Sequence, residues 1–167
     1  MKPGVRSTAN ISGVARKNEW RNTMSNILVA TDGSEAADEA LEVAIDMALE
    51  ARATLNVLSV RRLRPAGRGG ARPAILEVEM RDGPRHIAEA AVQRAREAGV
   101  AATPHVGYGN IVACIVDTAN ALGADHLVVG SRGLGSMSAA MLGSVSHALI
   151  RRSPVPLTIV RRPAVRA

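Results

Sequence analysis

Five short aliphatic runs, separated by four segments of helical periodicity, constrain what this chain can fold into more than any other feature. Ile27-Leu28-Val29-Ala30 reads as a buried strand ending at Thr31-Asp32-Gly33-Ser34. Ala37, Leu41, Ala44, Ile45 and Ala48 then recur along one helix face, with Ser34 placed as the cap and Glu35 and Asp38 in the first turn. Thr54–Val60 is a second strand. Residues 61–80 read as a loop, with three glycines, two prolines and Arg61, Arg62, Arg64, Arg68 and Arg72. A helix is expected from Pro84 to Ala98, stopped by Gly99. Ala101–Val106 is the third strand, and Asn110 caps a helix that ends at Leu122 before Gly123. His126–Val129 is the fourth strand, Gly143–Arg152 the last helix, and Pro154 and Pro156 bracket the turn into Leu157–Arg161. Strict strand–helix alternation with short connections demands right-handed crossovers. The expected fold is therefore α/β: a doubly wound five-stranded parallel sheet, order 3-2-1-4-5, with helices on both faces.

Composition narrows the chemistry. Apolar residues make up 47% of the chain, yet Phe is absent and there is one Trp and one Tyr. The core must be built from Val, Ile, Leu, Met and Ala. No apolar run approaches the roughly 18 residues of a membrane span, so a soluble protein is expected. Cys114 is the lone cysteine, which excludes an internal disulfide and a multi-cysteine metal site. It falls on a helical stripe with Ile111, Ile115 and Leu122 and reads as a buried small hydrophobe. With no secretory signal in view, the cytoplasm is the expected compartment.

The formal charge of +6 raises the question of nucleic acid, and its location answers it. Residues 1–22 hold Lys2, Arg6, Arg16, Lys17 and Arg21 against Glu19, most of the excess. Residues 1–23 show no periodicity and read as a disordered basic tail, residues 24–162 as the folded domain, and residues 163–167 as a short C-terminal tail. The near-balanced body lacks aromatic platforms for single strands, so nucleic acid is an unlikely partner.

In an open parallel sheet, ligands bind beyond the carboxyl ends of the strands where the strand order reverses. The first strand ends in Asp32-Gly33-Ser34 and the fourth in Gly130-Ser131-Arg132-Gly133, while Gly143-Ser144 opens the next helix. Gly130 would let the chain turn and allow backbone to approach a ligand. Gly133 would give the loop conformations that side chains forbid, so that N–H groups converge on an anion. Gly143, Ser144 and Val145 lie at a helix N-terminus, where free N–H groups favour phosphate, and the Ser144 and Ser146 hydroxyls can add hydrogen bonds. Asp32 suits ribose hydroxyls or a bound Mg²⁺. Arg132 either pairs with phosphate or is a solvated loop residue. The alternative is that the glycines only make turns; at this chain's composition the spacing arises by chance roughly 0.01 times. His147 reads as a surface residue, and His86, His105 and His126 lack metal-ligand spacing.

From Asn26 to about Arg162 the chain resembles the universal stress protein family. Ile27–Ser34, the Gly130–Ser144 spacing and the closing Pro154-Val155-Pro156-Leu157-Thr158-Ile159-Val160 carry the likeness. The resemblance implies the ATP-binding subgroup, with ATP and Mg²⁺ as ligands. By position it implies that Asp32 and Val57 flank the adenosine, Val57 reading adenine through its backbone. It likewise implies that Val129, Gly130, Ser131 and Gly133 line the nucleotide and that Gly143, Ser144 and Val145 hold phosphates. It also points to a homodimer through the C-terminal edge strand.

Neither a Walker A sequence nor a pyrophosphatase-type loop is present, and phosphoryl transfer would need a positioned cation, a metal site and an oriented nucleophile. The expected function is a nucleotide-dependent stress-response or regulatory protein. A slow ATP-hydrolysing enzyme is the alternative, and a nucleic-acid binder a weaker one.

Overall fold

The computed structural model describes residues 24–62, 74–133 and 142–161. The expected terminal tails, Arg64, Arg68 and Arg72, and the loop at 134–141 lie outside them. Five strands, β1 (Asn26–Thr31), β2 (Thr54–Arg61), β3 (Ala102–Tyr108), β4 (His126–Gly130) and β5 (Leu157–Val160), alternate with α1 (Glu35–Ala51), α2 (Ala74–Glu97), α3 (Ile111–Ala121) and α4 (Ser144–Arg152). All pairings are parallel and the order is β3-β2-β1-β4-β5, as the alternation required. No described helix is long and apolar enough to cross a membrane.

The period of two along each strand sorts the core into two layers. Ile27 and Val29 of β1, Leu55 and Val57 of β2 and Val128 of β4 pack with the buried faces of α1 and α2. Leu28, Leu58, Leu127 and Val129 point the other way, with Ile115 and Ala119 of α3 and Leu149 of α4. The stripe Ala37, Leu41, Ala44, Ile45 and Ala48 is buried as expected, joined by Ala40. Alanines let α1 sit close to the sheet, which is how a core without Phe closes up. Every buried hydrophobe among the described residues is Met, Ile, Leu, Val or Ala.

The helix ends follow the sequence with two exceptions. Ser34 accepts from the Ala37 N–H and Asn110 Oδ1 from the Ala113 N–H. Gly99 and Gly123 close α2 and α3 at φ +90° and +58°. The cap after α1 is not a glycine: Arg52 adopts φ 56°, and its N–H reaches the Ala48 and Leu49 carbonyls. The second exception is α2, which begins at Ala74 rather than Pro84 and takes up the end of the expected loop. Ala74, Leu76, Glu77, Glu79 and Met80 are all good helix formers. Pro84, read as a start, is an interior residue that leaves one backbone carbonyl without its N–H partner.

A polar relay crosses three strands at the end of the sheet where the strands begin. With Asn56 Oδ1 as acceptor, His105 Nε2 donates at 2.7 Å. Asn56 Nδ2 donates to Asn26 Oδ1, and Asn26 Nδ2 donates to the Leu122 carbonyl at 2.6 Å. Each half-buried group is thereby satisfied. Burial also pushes the pKa of His105 down, so the fold favours its neutral ring.

Candidate functional site

At the opposite end, where β1, β2 and β4 finish, the strand order reverses and a cleft of about 580 Å³ opens. Strand parity builds one wall. Leu58, Val60 and Arg62 lie on one side of β2 and line the cleft, together with Ala30 and Val129 and with Ile111 and Ile115 from α3. The other wall is polar: Asp32 after β1, Arg132 and Gly133 after β4, and Gly143 to Ser146 at the start of α4.

Two backbone hydrogen bonds tie the residue after β4 to the end of β5 and to the start of α4. The Ser131 N–H donates to the Val160 carbonyl and the Gly143 N–H to the Ser131 carbonyl, both at 2.7 Å. Gly143 is the N-cap without a side-chain cap, and the His147 N–H is the first to bond back into the helix. The N–H groups of Ser144, Val145 and Ser146 therefore have no partner within the helix, at the positive end of its dipole.

Close packing against backbone, rather than unusual φ, requires Gly130. A β-carbon on Gly130 would lie 2.5 Å from the Ala36 carbonyl oxygen, so Gly130 lets β4 approach the first turn of α1. A β-carbon on Gly133 would collide with Asp32 Oδ2. Neither is among the glycines with positive φ, which corrects the expectation that Gly133 supplies a forbidden loop conformation. Among the described residues of this region, only Gly33, at φ +77°, serves a turn of that kind. Asp32 Oδ1 accepts from the Ser34 N–H at 3.1 Å, which fixes the carboxylate at the mouth of the β1–α1 turn.

A model of the universal stress protein family matches residues 24–161. The chain belongs to the universal stress protein family. Universal stress protein YxiE of Bacillus subtilis is 32% identical over 146 residues, 82% of this chain and 99% of that protein. Among solved structures, universal stress protein UspA from Lactobacillus plantarum superposes with a TM-score of 0.68 at 25% identity, covering 82% of this chain and 97% of that one. A universal stress protein in complex with cAMP has a TM-score of 0.62 at 27% identity, covering 83% and 97%.

Within this family member the cleft gathers Asp32, Val129, Gly130, Arg132, Gly133, Gly143, Ser144, Val145 and Ser146, as read from the sequence. Two expected residues fall outside its lining. Val57 is fully buried in the α1–α2 layer. Its strand is paired on both sides, with Val29 and with Pro104, so its backbone lies in the sheet ladders rather than at a strand end. Val60, an odd number of residues along, occupies the cleft face instead. Ser131 is buried at 2% exposure, because its backbone is stitched to β5 and α4; its hydroxyl has no hydrogen-bond partner among the described residues. Ser146 lines the cleft, but its hydroxyl donates to the Gly130 carbonyl at 2.8 Å, so its one proton is committed to the fold. Cys114 is half-buried rather than buried, packed on Gly107 with Sγ 3.5 Å from the Tyr108 carbonyl. His147 is exposed and is not part of the lining.

The apolar wall was missed by the sequence reading. Leu58, Val60, Ile111 and Ile115 look like core residues in sequence, and only the parity with Arg62 hinted that this side of β2 runs out into a ligand space. Among the described residues no cluster of three His, Cys, Asp or Glu side chains could hold a metal ion. Asp32 is the one carboxylate among the described residues of the lining.

Proposed function

We propose that this chain binds ATP with Mg²⁺ in the cleft and acts as a nucleotide-dependent regulator in the stress response rather than as a turnover catalyst. The observation that carries the reading is the α4 N-terminus. Three backbone N–H groups without helical partners lie on a cleft whose opposite wall is aliphatic. Phosphate suits the first surface and a purine face suits the second. The related structure holding cAMP supports a nucleotide of the same chemical class.

The donor set fits Mg²⁺ in a limited way. A single carboxylate is consistent with an ion held mainly by phosphate oxygens and water, as Mg²⁺ is in many nucleotide sites. Mg²⁺ would supply charge neutralisation between phosphates, and Asp32 would contribute one oxygen or bind ribose hydroxyls. Asp32 Oδ1 accepts from the Ser34 N–H, and the reading assigns this carboxylate to ribose or Mg²⁺ rather than to general-base work.

Calorimetric titration tests the reading: ATP should bind at micromolar affinity or better and a flavin mononucleotide should not. Gly143→Val places branching atoms beside the Ser131 carbonyl, 3.3 Å from the new β-carbon, and across the approach to the helix terminus. The variant should fold and lose ATP binding. Flavin binding without ATP binding, or unchanged ATP affinity in Gly143→Val, would refute the assignment.

The same reading extends to assembly. β5 is an edge strand in which Leu157, Thr158, Ile159 and Val160 are all half-exposed, and Arg161 follows. An edge of this kind needs a partner or a cover, and a second copy related by a twofold axis provides one.

A further inference from the structure

We propose that Arg62 is a second anion-binding group, which makes the cleft selective for nucleoside polyphosphates over monophosphates and cyclic monophosphates. The inference rests on the nucleotide reading of the cleft and deepens it. Arg62 belongs to neither glycine loop; it is the first residue beyond β2. Alternation along the extended chain separates it from its neighbour. Arg61 Nη1 turns toward Gly83 of α2, 3.2 Å from where a β-carbon there would sit, whereas Arg62 continues the row of Leu58 and Val60 into the cleft.

The charge arrangement points to a polyanion. Neither Arg62 nor Arg132 makes an ion pair or hydrogen bond with a described residue. Both line the cleft, and Asp32 is the only acidic residue among the described residues that does. β2 and β4 flank β1, so the two guanidiniums are rooted two strand spacings apart, about 10 Å at the backbone. The α4 N-terminus adds a third positive element on the β4 side. A singly charged cyclic phosphate would be served by the helix terminus and Arg132 alone. A chain of phosphates carries several charges and has the length to engage the Arg62 side as well, through charge-assisted hydrogen bonds.

Full-length wild type, Arg62→Gln, Arg62→Lys and the surface control Arg152→Gln would be titrated with ATP, AMP and cAMP, and thermal shift would be read with inorganic tripolyphosphate. Arg62→Gln should weaken ATP about tenfold or more and leave AMP and cAMP within about twofold. It should also shrink the tripolyphosphate shift, whereas Arg62→Lys should keep most of both and Arg152→Gln all. Equal loss for ATP and AMP, or no loss for either, overturns the assignment while leaving nucleotide binding standing. A tripolyphosphate shift that depends on Arg62, in a protein that binds no adenine nucleotide, upholds the anion site and overturns the nucleotide reading. No response to any of the probes overturns both.

Discussion

Gly130→Ala tests whether the glycine spacing serves packing or ligand approach. The added β-carbon would lie 2.5 Å from the Ala36 carbonyl oxygen, 2.7 Å from its carbon and 3.0 Å from the Ala37 nitrogen. These are backbone atoms in the first turn of α1 and cannot rotate aside. Restoring ordinary contact near 3.4 Å requires α1 and β4 to part by roughly 0.9 Å at an interface packed with alanines. Overpacking of this kind costs up to about 3 kcal/mol, and the smaller backbone entropy of alanine returns only about 0.5 kcal/mol. The net loss should be up to about 2.5 kcal/mol, or up to roughly 8 °C in melting temperature for a domain of this size. Urea and thermal unfolding of the variant beside wild type measure it. Gly123→Ala is the control: it has no neighbour within 4 Å but a φ of +58°, and should lose about 1 kcal/mol through backbone strain alone. If Gly130→Ala unfolds within about 0.5 kcal/mol of wild type yet loses ligand affinity, the packing argument is wrong and Gly130 serves the ligand.

The remaining expectations concern the ends of the sheet. The Ser25 N–H at 2.7 Å, its hydroxyl at 3.0 Å and the Asn26 N–H at 2.8 Å hold the Asp125 carboxyl below its usual pKa. That stabilisation is complete above the usual carboxylate range and is lost as pH falls through the lowered folded pKa. After discounting for solvent screening, Asp125→Asn should cost about 1 kcal/mol at neutral pH, and the deficit should shrink in acid unfolding series. Burial pushes His126 down as it does His105, so unfolding is favoured by protonation: stability should decline as pH drops below about 6.5. The His105→Gln, His126→Gln double variant should flatten the melting-temperature profile between neutral pH and pH ~5, and an unchanged profile would contradict the burial argument. Sedimentation should give roughly twice the chain mass, and Ile159→Pro should shift it toward monomer by removing a backbone donor from the exposed edge.

The topology was legible because hydrophobic period and glycine stops agree along most of the chain. Ala37 through Ala48 could only be a helix packed on one side, and Gly99 and Gly123 ended helices where they were expected to. The start of α2 was not legible, since Gly83-Pro84 looks like a boundary and the helix formers before it follow a Gly/Arg-rich stretch. The site was half legible. Glycine spacing located the polar wall but misassigned the reason for Gly133, which has no positive φ and instead faces the carboxylate of a residue a hundred positions away. Position along β2 was misjudged by three residues in placing Val57, enough to reverse the face. A half-buried strand has no sequence mark for where its ladder ends and its ligand surface begins. Arg62 was noticed only as one of several loop arginines, because its separation from Arg61 is a matter of backbone alternation.

The relay from His105 through Asn56 and Asn26 to the Leu122 carbonyl bears on how the strands find their alignment. A slip of one residue is rejected by the aliphatic pattern, because it would turn Ile27, Leu55 and Val57 out of their layer. A slip of two residues passes that filter: every side chain keeps its face, and leucine, valine and isoleucine substitute for one another with little loss. The amides do not interchange in this way. Moving β2 by two residues relative to β1 and β3 would break both joints of the relay and strand polar groups against hydrocarbon. Asn56 thus works as a registration pin, distinguishing the native alignment from its closest hydrophobic decoy and setting, from the far end of the sheet, the height at which Arg62 emerges relative to Asp32.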